Sequence, residues 1–172
     1  IFFWDDDLDP LDFEPRRFVE LMRLNGLQMA QPSIVPLYRL AHAITSWNEN
    51  LPAGINRANC LSERIVGRMT NFVEIMAPAF TRDAWLELYQ YMSPLNASGW
   101  GYDYVPLGRR GIIDLMPVVH TRRVQSLNDE AMADIQDFLI SNGLIAYQPA
   151  DCGWVLEPIA GQVPASVYAE LG

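Results

Sequence analysis

Four acidic residues follow an apolar run at the start of this 172-residue chain. The run Ile1-Phe2-Phe3-Trp4 is β-branched or aromatic throughout and predicts a short buried strand. The acids come directly after it, at the end of a strand where ligands bind in open α/β sheets. They are Asp5, Asp6, Asp7 and Asp9. Closely packed carboxylates repel one another, and a hard divalent cation relieves that repulsion. The pattern therefore predicts a metal site for a phosphorylated ligand.

The acids alternate at Asp5, Asp7 and Asp9, which would point their side chains the same way on an extended backbone. In the functional interpretation, Asp5 and Asp7 straddle a divalent metal. In the alternative, the acids form a solvated loop that caps the next helix. A calcium loop of the EF-hand type is disfavoured, because Pro10 stands where its glycine is needed and Arg16 stands where its bidentate glutamate belongs.

A second constellation is the turn Ser98-Gly99-Trp100-Gly101-Tyr102-Asp103. Its two glycines would let the backbone approach a ligand closely. Trp100 offers a flat stacking face, and Asp103 offers a carboxylate just beyond the turn. This combination suits a sugar platform with a general base beside it. An ordinary turn that carries a core tryptophan is the alternative.

Two further residues stand out because their surroundings are apolar. His120 ends a predicted strand, where it is either a metal ligand or a polar residue at a strand end. Glu74 interrupts an apolar run and is either a buried acid with a role or an outward-facing residue. The pairs Arg109-Arg110 and Arg122-Arg123 could hold phosphates or simply be solvated.

Composition narrows the classes of function. Half of the residues are hydrophobic, which disfavours disorder and allows one domain with a real core. A net charge of −9 argues against a nucleic-acid backbone or an anionic membrane as partner. All twelve basic residues are arginine, which excludes Schiff-base chemistry and a phosphate-loop lysine in this chain.

The two cysteines and the absence of long apolar runs bear on location. Cys60 and Cys152 lack a CxxC spacing, so we expect plain thiols in a reducing compartment and a cytoplasmic protein. No run approaches the roughly 18 apolar residues of a membrane span, and no signal peptide is visible. The chain begins inside a predicted strand without a methionine, so we expect its true N-terminus to be missing.

The order of predicted elements is alternating α/β to about residue 123, followed by a small appendage. We expect strands over 1–4, 27–34 (broken by Pro32), 71–80 and 111–120, helices over 15–26 and 81–92, and a long loop over 46–69. The appendage, residues 124–172, would hold a helix from Asn128 to Gly143 and a hairpin over 145–148 and 153–156.

Several segments, taken in order, resemble a known family. They are WDDDL, EPRRFVELMRLNGLQMAQPSI, FVEIMAPAFTRDAW, SGWGYDYV and GIIDLMPVVHTR. These segments resemble the proteins labelled lysine-ketoglutarate reductase trans-splicing-related, domain of unknown function 707, over about residues 1–123. The underlying pattern is similar to a glycosyltransferase of the GT-A type. In that fold a D-x-D motif ends a strand, a W-G turn precedes an acid, and a late histidine completes a metal site.

The resemblance implies a site and a fold. Asp5, Asp7 and His120 would bind Mn²⁺ or Mg²⁺, with Asp6 also facing this cofactor, and Asp103 would be the catalytic base. The residues expected to contact substrate are Trp100, Gly101, Tyr102 and Glu74. The donor would be a nucleotide sugar, most simply a UDP-sugar, and the acceptor a glycan or another hydroxyl compound. The fold would be α/β, with a GT-A-like mixed sheet and flanking helices over residues 1–123.

The chain departs from that pattern at its start. The GT-A nucleotide-binding half precedes the D-x-D strand, so we expect this half, with the uridine and ribose pocket, to be missing. Two alternatives stay open. A haloacid-dehalogenase-like phosphatase also has D-x-D after an N-terminal strand, although Asp9 stands where it would have Thr or Val. A non-catalytic carbohydrate-binding or scaffold module would have kept the fold and lost the donor pocket.

Overall fold

The computed structural model describes residues 1–11, 13–37, 42–47, 66–94, 96, 99, 101–122, 129–144 and 151–155. Within these ranges the protein is α/β, with a mixed open sheet and three α-helices. The strands are β1 (Leu8–Asp9), β2 (Met29–Pro36), β3 (Gly67–Thr70), β4 (Ala79–Phe80), β5 (Arg110–His120) and β6 (Asp151–Val155). The helices are α1 (Pro15–Leu24), α2 (Arg82–Tyr89) and α3 (Asp129–Ser141), and short 3-10 helices span Ala43–Thr45 and Tyr102–Tyr104.

The long strand β5 organises the sheet, whose strand order is β4-β2-β5-β3-β6. It pairs in parallel with β2 and antiparallel with β3. The two-residue strand β1 adds to the carboxyl end of β5, where Leu8 lies opposite His120. The predicted strand over 111–120 is confirmed, and its pairing brings the start of the chain to His120.

Pro32 does not break β2, contrary to the sequence prediction. The strand continues to Pro36, and its register against β5 shifts instead. Pro32 pairs with Ile113 and Ile34 pairs with Val118, so residues 114–117 of β5 bulge out of the ladder. Because proline cannot donate a ladder hydrogen bond, a bulge is one of the places where a sheet tolerates it.

The first residues form an exposed edge rather than the buried strand that their sequence predicts. The amide of Phe3 donates to the Pro78 carbonyl at 3.0 Å, and the amide of Asp5 donates to the Met76 carbonyl at 3.0 Å. Ile1 is 48% exposed and Phe3 is 44% exposed. This segment lies beside β4 at the edge of the described sheet. The acids follow it, as predicted.

The predicted strand over 71–80 is wrong except for β4 at its end. In a strand, the backbone amides of this stretch would donate to a neighbouring strand. Here they donate to side chains instead. The Glu74 amide donates to Gln31 Oε1 at 2.5 Å, and the Ile75 amide donates to Asp103 Oδ1. The predicted loop over 46–69 is likewise wrong where β3 begins, and its residues 48–65 lie outside the described ones.

Alternating side chains place apolar clusters on opposite faces of the sheet. On one face, Ala30 and Ile113 pack with α1 through Phe18 and Leu21. On the other face, Met29 and Ile112 pack with α2, the Tyr102–Tyr104 helix and α3. The helix residues in this apolar cluster are Ala84, Leu88, Tyr102 and Phe138. The sheet is thus covered on both sides.

Both helices predicted before residue 123 are confirmed, and each begins at a local signal. Pro15 occupies the first turn of α1, where its missing amide costs nothing. Thr81 caps α2 by accepting a hydrogen bond from the Ala84 amide at 3.3 Å. The described helices include none long and apolar enough to cross a membrane.

The segment after residue 123 supplies a helix and a strand. Phe138 of α3 packs edge-on against Tyr102 with ring centroids 5.0 Å apart, and β6 pairs antiparallel with β3. The first arm of the predicted hairpin, residues 145–148, lies outside the described residues. The division of the chain at residue 123 stays a prediction.

Candidate acidic site

Four acids and one histidine interact electrostatically across the carboxyl end of β5 and the loops beside it. We call this set the acidic centre: Asp5, Asp7, Glu74, Asp103 and His120. All five were singled out from the sequence. They come from distant parts of the chain, and the sheet pairing of β1 with β5 and the loop before β4 bring them together.

Asp7 and His120 form the best-defined contact of the centre. His120 Nε2 lies 3.3 Å from Asp7 Oδ2. The Asp7 carbonyl accepts hydrogen bonds from the Thr121 amide at 3.0 Å and the Thr121 hydroxyl at 2.8 Å, which fixes the backbone of Asp7. The other carboxylate oxygen, Asp7 Oδ1, is buried and has no hydrogen-bond partner among the described residues. An acceptor in this state is open to a cation or a donor from a ligand.

The remaining acids of the first segment have different surroundings. Partial burial raises the pKa of Asp5, and the negative charge of Asp7 adds to that effect, while His120 opposes it. Asp6 is exposed, and its Oδ1 lies 3.6 Å from Arg122 Nη1. Asp9 is exposed and accepts a hydrogen bond from the Leu11 amide at 3.0 Å, so it serves the local turn. Asp5 and Asp7 therefore belong to the centre, whereas Asp9 does not.

Glu74 is a buried acid, as one interpretation of the sequence proposed, with 7% of its surface exposed. Its Oε2 accepts a hydrogen bond from the Thr45 hydroxyl at 2.9 Å. Burial raises the pKa of Glu74 to about 8, and the charges of Asp103 and Asp5 add to the increase, while the Thr45 hydrogen bond opposes it. Glu74 is therefore mostly neutral at pH 7.

Asp103 is also buried, at 3% exposure. Burial raises its pKa to about 7, although hydrogen bonds from the amide of Ile75 and from its own amide favour the charged form. A buried carboxyl group whose pKa lies near neutrality is typical of general acid and base residues.

The predicted substrate platform beside Asp103 has a packing role in part. Gly101 adopts φ 99°, and a Cβ there would lie 2.6 Å from the Phe138 ring. The Tyr102 hydroxyl accepts a hydrogen bond from the Ser93 amide at 3.1 Å, and its ring packs on Phe138. Both residues hold the Asp103 helix against α3. Their contact with a substrate stays a prediction, and Trp100 lies outside the described residues.

Sequence reasoning missed the residues that support the acids. Gln31 holds the Glu74 backbone, and Thr45 binds the Glu74 side chain. Arg68 of β3, which is buried, and Asp114 of β5, which is partly buried, form an ion pair nearby. Asp114 interrupts the apolar run of β5 in the same way that Glu74 interrupts its own apolar run. This interruption is the feature of the sequence that could have marked Asp114 as a supporting residue. Thr45 carries no such signal.

The donor atoms of the acidic centre bear on metal ligation. Across the described ranges, no group of three or more His, Cys, Asp or Glu side chains is arranged to hold a metal ion. The chemistry of the donors nevertheless fits one, because Asp5 and Asp7 offer carboxylate oxygens, His120 offers an imidazole, and Asp7 Oδ1 lacks a partner.

The fold and the site define an α/β protein with a mixed sheet and an acidic centre at one end of its longest strand. The chain belongs to the family DUF707, described as a protein of unknown function, whose family model matches residues 1–138. The predicted resemblance to this family is confirmed, and the match continues into α3 beyond residue 123. No curated protein and no solved structure matches the chain.

Proposed function

We propose that this protein is a metal-dependent glycosyltransferase of the GT-A type. It would transfer a sugar from a nucleotide-diphosphate donor, such as a UDP-sugar, to a hydroxyl group of a glycan or another acceptor. The observation that carries the proposal is the acidic centre itself. It combines Asp7, whose Oδ2 lies beside His120 and whose Oδ1 has no partner among the described residues, with Asp103, whose pKa is about 7.

Asp7 and His120 would hold Mn²⁺ or Mg²⁺, with Asp5 as the third ligand. Of these side chains, Asp5 is exposed and His120 is buried. When bound, the ion would offset the negative charge of the donor diphosphate as the sugar leaves. The repulsion between Asp5 and Asp7, which contributes to the raised pKa of Asp5, would fall at the same time.

Asp103 would act as the general base. It would take the proton of the acceptor hydroxyl as the acceptor oxygen bonds to the anomeric carbon and the bond from that carbon to the diphosphate breaks. This is a single displacement with inversion. Near neutral pH a substantial fraction of Asp103 is ionised and able to accept the proton. Glu74, neutral at pH 7, would donate a hydrogen bond to the substrate.

Calorimetric titration with Mn²⁺, with and without UDP, tests the metal site. We expect the chain to bind Mn²⁺ and UDP to strengthen that binding. Asp7→Asn should abolish it. Asp9→Asn is the matched control, because Asp9 lies two residues away, is exposed, and contacts the Leu11 amide that an asparagine can still reach.

Other outcomes would separate the alternatives. Binding of Mn²⁺ that is indifferent to UDP would favour a haloacid-dehalogenase-like phosphatase or a structural ion. No binding by the unmodified chain would contradict the proposal for this chain and favour the non-catalytic module.

A further inference from the structure

Thr45 joins the acidic centre to a neighbouring segment, residues 42–47. Its hydroxyl oxygen lies 2.9 Å from Glu74 Oε2 and 2.9 Å from the His42 carbonyl oxygen. A hydroxyl group has one proton to donate, so it serves one of these acceptors at a time. An ionised Glu74 competes for that proton better than a neutral one, because hydrogen bonds to charged groups are the stronger ones.

Arg68 holds the backbone on both sides of Thr45. Its Nη2 donates to the Ile44 carbonyl at 2.8 Å and to the Ser46 carbonyl at 3.2 Å. Arg68 is 2% exposed, so water does not compete strongly for these bonds. The guanidinium therefore fixes the two residues that flank Thr45.

Asp114 in turn orients the guanidinium. Arg68 Nη1 lies 2.5 Å and 2.6 Å from the two carboxylate oxygens of Asp114. Asp114 is the first residue of the β5 bulge, and its amide donates to the Val66 carbonyl at 2.8 Å. The chain of contacts runs from the bulge through Asp114, Arg68 and the backbone of residues 44–46 to Thr45.

We propose that the ion pair of Arg68 and Asp114 is a positioning device, which holds Thr45 in hydrogen-bond contact with Glu74 and so controls the acidic centre through one hydroxyl group. A consequence for catalysis rests on the proposed function, whereas the positioning itself does not. Burial and the charges of Asp103 and Asp5 favour neutral Glu74, and the Thr45 hydroxyl favours its ionised form. Releasing Thr45 would therefore shift Glu74 further towards the neutral form.

The test reads Glu74 directly, by following its carboxyl ¹³C chemical shift through a pH titration. Arg68→Lys is the main variant. It keeps a positive charge beside Asp114, so the long-range field at Glu74 is preserved, but an ammonium group cannot reproduce the guanidinium fork. We expect the titration midpoint of Glu74 to rise by about one pH unit.

Variants of Thr45 provide the matched controls. Thr45→Val should raise the midpoint as Arg68→Lys does, and Thr45→Ser, which keeps the hydroxyl, should restore it. Combining Arg68→Lys with Thr45→Val should give no further rise, because both changes remove the same hydrogen bond. Asp114→Asn should also raise the titration midpoint of Glu74. If this variant does not fold, the result for Arg68→Lys alone tests the positioning role of the ion pair.

Two outcomes would overturn the inference. In one, Thr45→Val moves the midpoint and Arg68→Lys leaves it unchanged. In the other, the shifts of the two single variants add in the double variant. The pH titration of Glu74 needs neither metal nor sugar nucleotide. Failure of the Mn²⁺ titration would therefore not affect this inference, and failure of the pH titration would not affect the proposed function.

Discussion

At the scale of single residues, Glu74 and Asp103 are buried carboxyl groups of the acidic centre that can exchange protons near neutral pH. The pKa of Glu74 is raised to about 8 and that of Asp103 to about 7. At pH 7, Glu74 is thus largely protonated, and Asp103 is divided between its two forms. One can donate a hydrogen bond while the other accepts a proton, so the two acids can have different roles in one site.

Asp103→Asn should remove the proposed base while preserving its local structure, because the asparagine oxygen can still accept the Ile75 amide. We expect the rate of UDP release from a UDP-sugar in the presence of an acceptor to fall by about 10²- to 10⁴-fold. Below pH 7 the unmodified chain should lose activity as Asp103 becomes protonated, and the variant should not show this dependence. Asp137→Asn, an exposed change on α3, serves as the control. A variant with full activity would exclude Asp103 as the base.

At the scale of elements, close packing of α3 against the Tyr102–Tyr104 helix positions Asp103. Gly101 makes the approach possible, since its backbone has a positive φ and a side chain there would meet Phe138. The packing therefore explains why a glycine is needed at position 101 without invoking a ligand. Helix α3 therefore supports the site even though it follows residue 123.

Gly101→Ala should destabilise the fold through both strain at positive φ and overpacking against Phe138. Gly26→Ala and Gly143→Ala isolate the first effect, because both glycines also have positive φ but a Cβ would meet nothing within 4 Å. We expect Gly101→Ala to lower the free energy of unfolding by about 1–3 kcal/mol more than either control. Urea unfolding measures the difference, and equal losses in all three variants would refute the packing role.

The elements predicted correctly from the sequence are those with local signals. Pro15 and Thr81 mark helix starts by chemistry within one turn, and β5 is apolar over most of its length. The stretch over 71–78 has a strand-like composition, but side chains from Gln31 and Asp103 take its amides. Which side chain binds a backbone amide depends on the tertiary fold, so a single sequence does not reveal it.

The same distinction applies to the site. Asp5, Asp7, Glu74 and His120 were chosen because acids or a histidine at apolar runs are unusual, and Asp103 was chosen because it follows a glycine-rich turn with a tryptophan. These five residues interact. The residues that orient them are ordinary by type. Arg68 resembles a surface arginine in the sequence until its burial and its contacts with residues 44 and 46 are known.

At the scale of the whole molecule, the acidic centre makes stability depend on pH. Both Glu74 and Asp103 have pKa values in the folded state that exceed their ordinary values. The folded state therefore holds more protons than the unfolded chain between about pH 4 and pH 8. Their contribution to stability is complete below this window and is lost as the pH rises through about 7 for Asp103 and about 8 for Glu74.

Glu74→Gln should reduce this loss to the part that Asp103 contributes, because a neutral amide does not titrate and can still accept the Thr45 hydrogen bond. Each proton contributes a slope of up to about 1.4 kcal/mol per pH unit. Urea unfolding at pH 5, 6, 7 and 8 measures the slope, with Glu87→Gln on the exposed side of α2 as control. A slope that is the same in Glu74→Gln as in the unmodified chain would contradict the assignment.

The pairing of β1 with the end of β5 also has a kinetic consequence. Asp7 and Thr121, which are hydrogen-bonded, lie 114 residues apart in sequence. Closing so long a stretch of chain costs entropy before any contact offsets it, and folds rich in such contacts form slowly. During synthesis, Asp7 leaves the ribosome long before His120 does. We therefore expect a nascent chain to carry its acidic segment without the histidine until residue 121 has emerged, and the centre to form in one of the last folding steps.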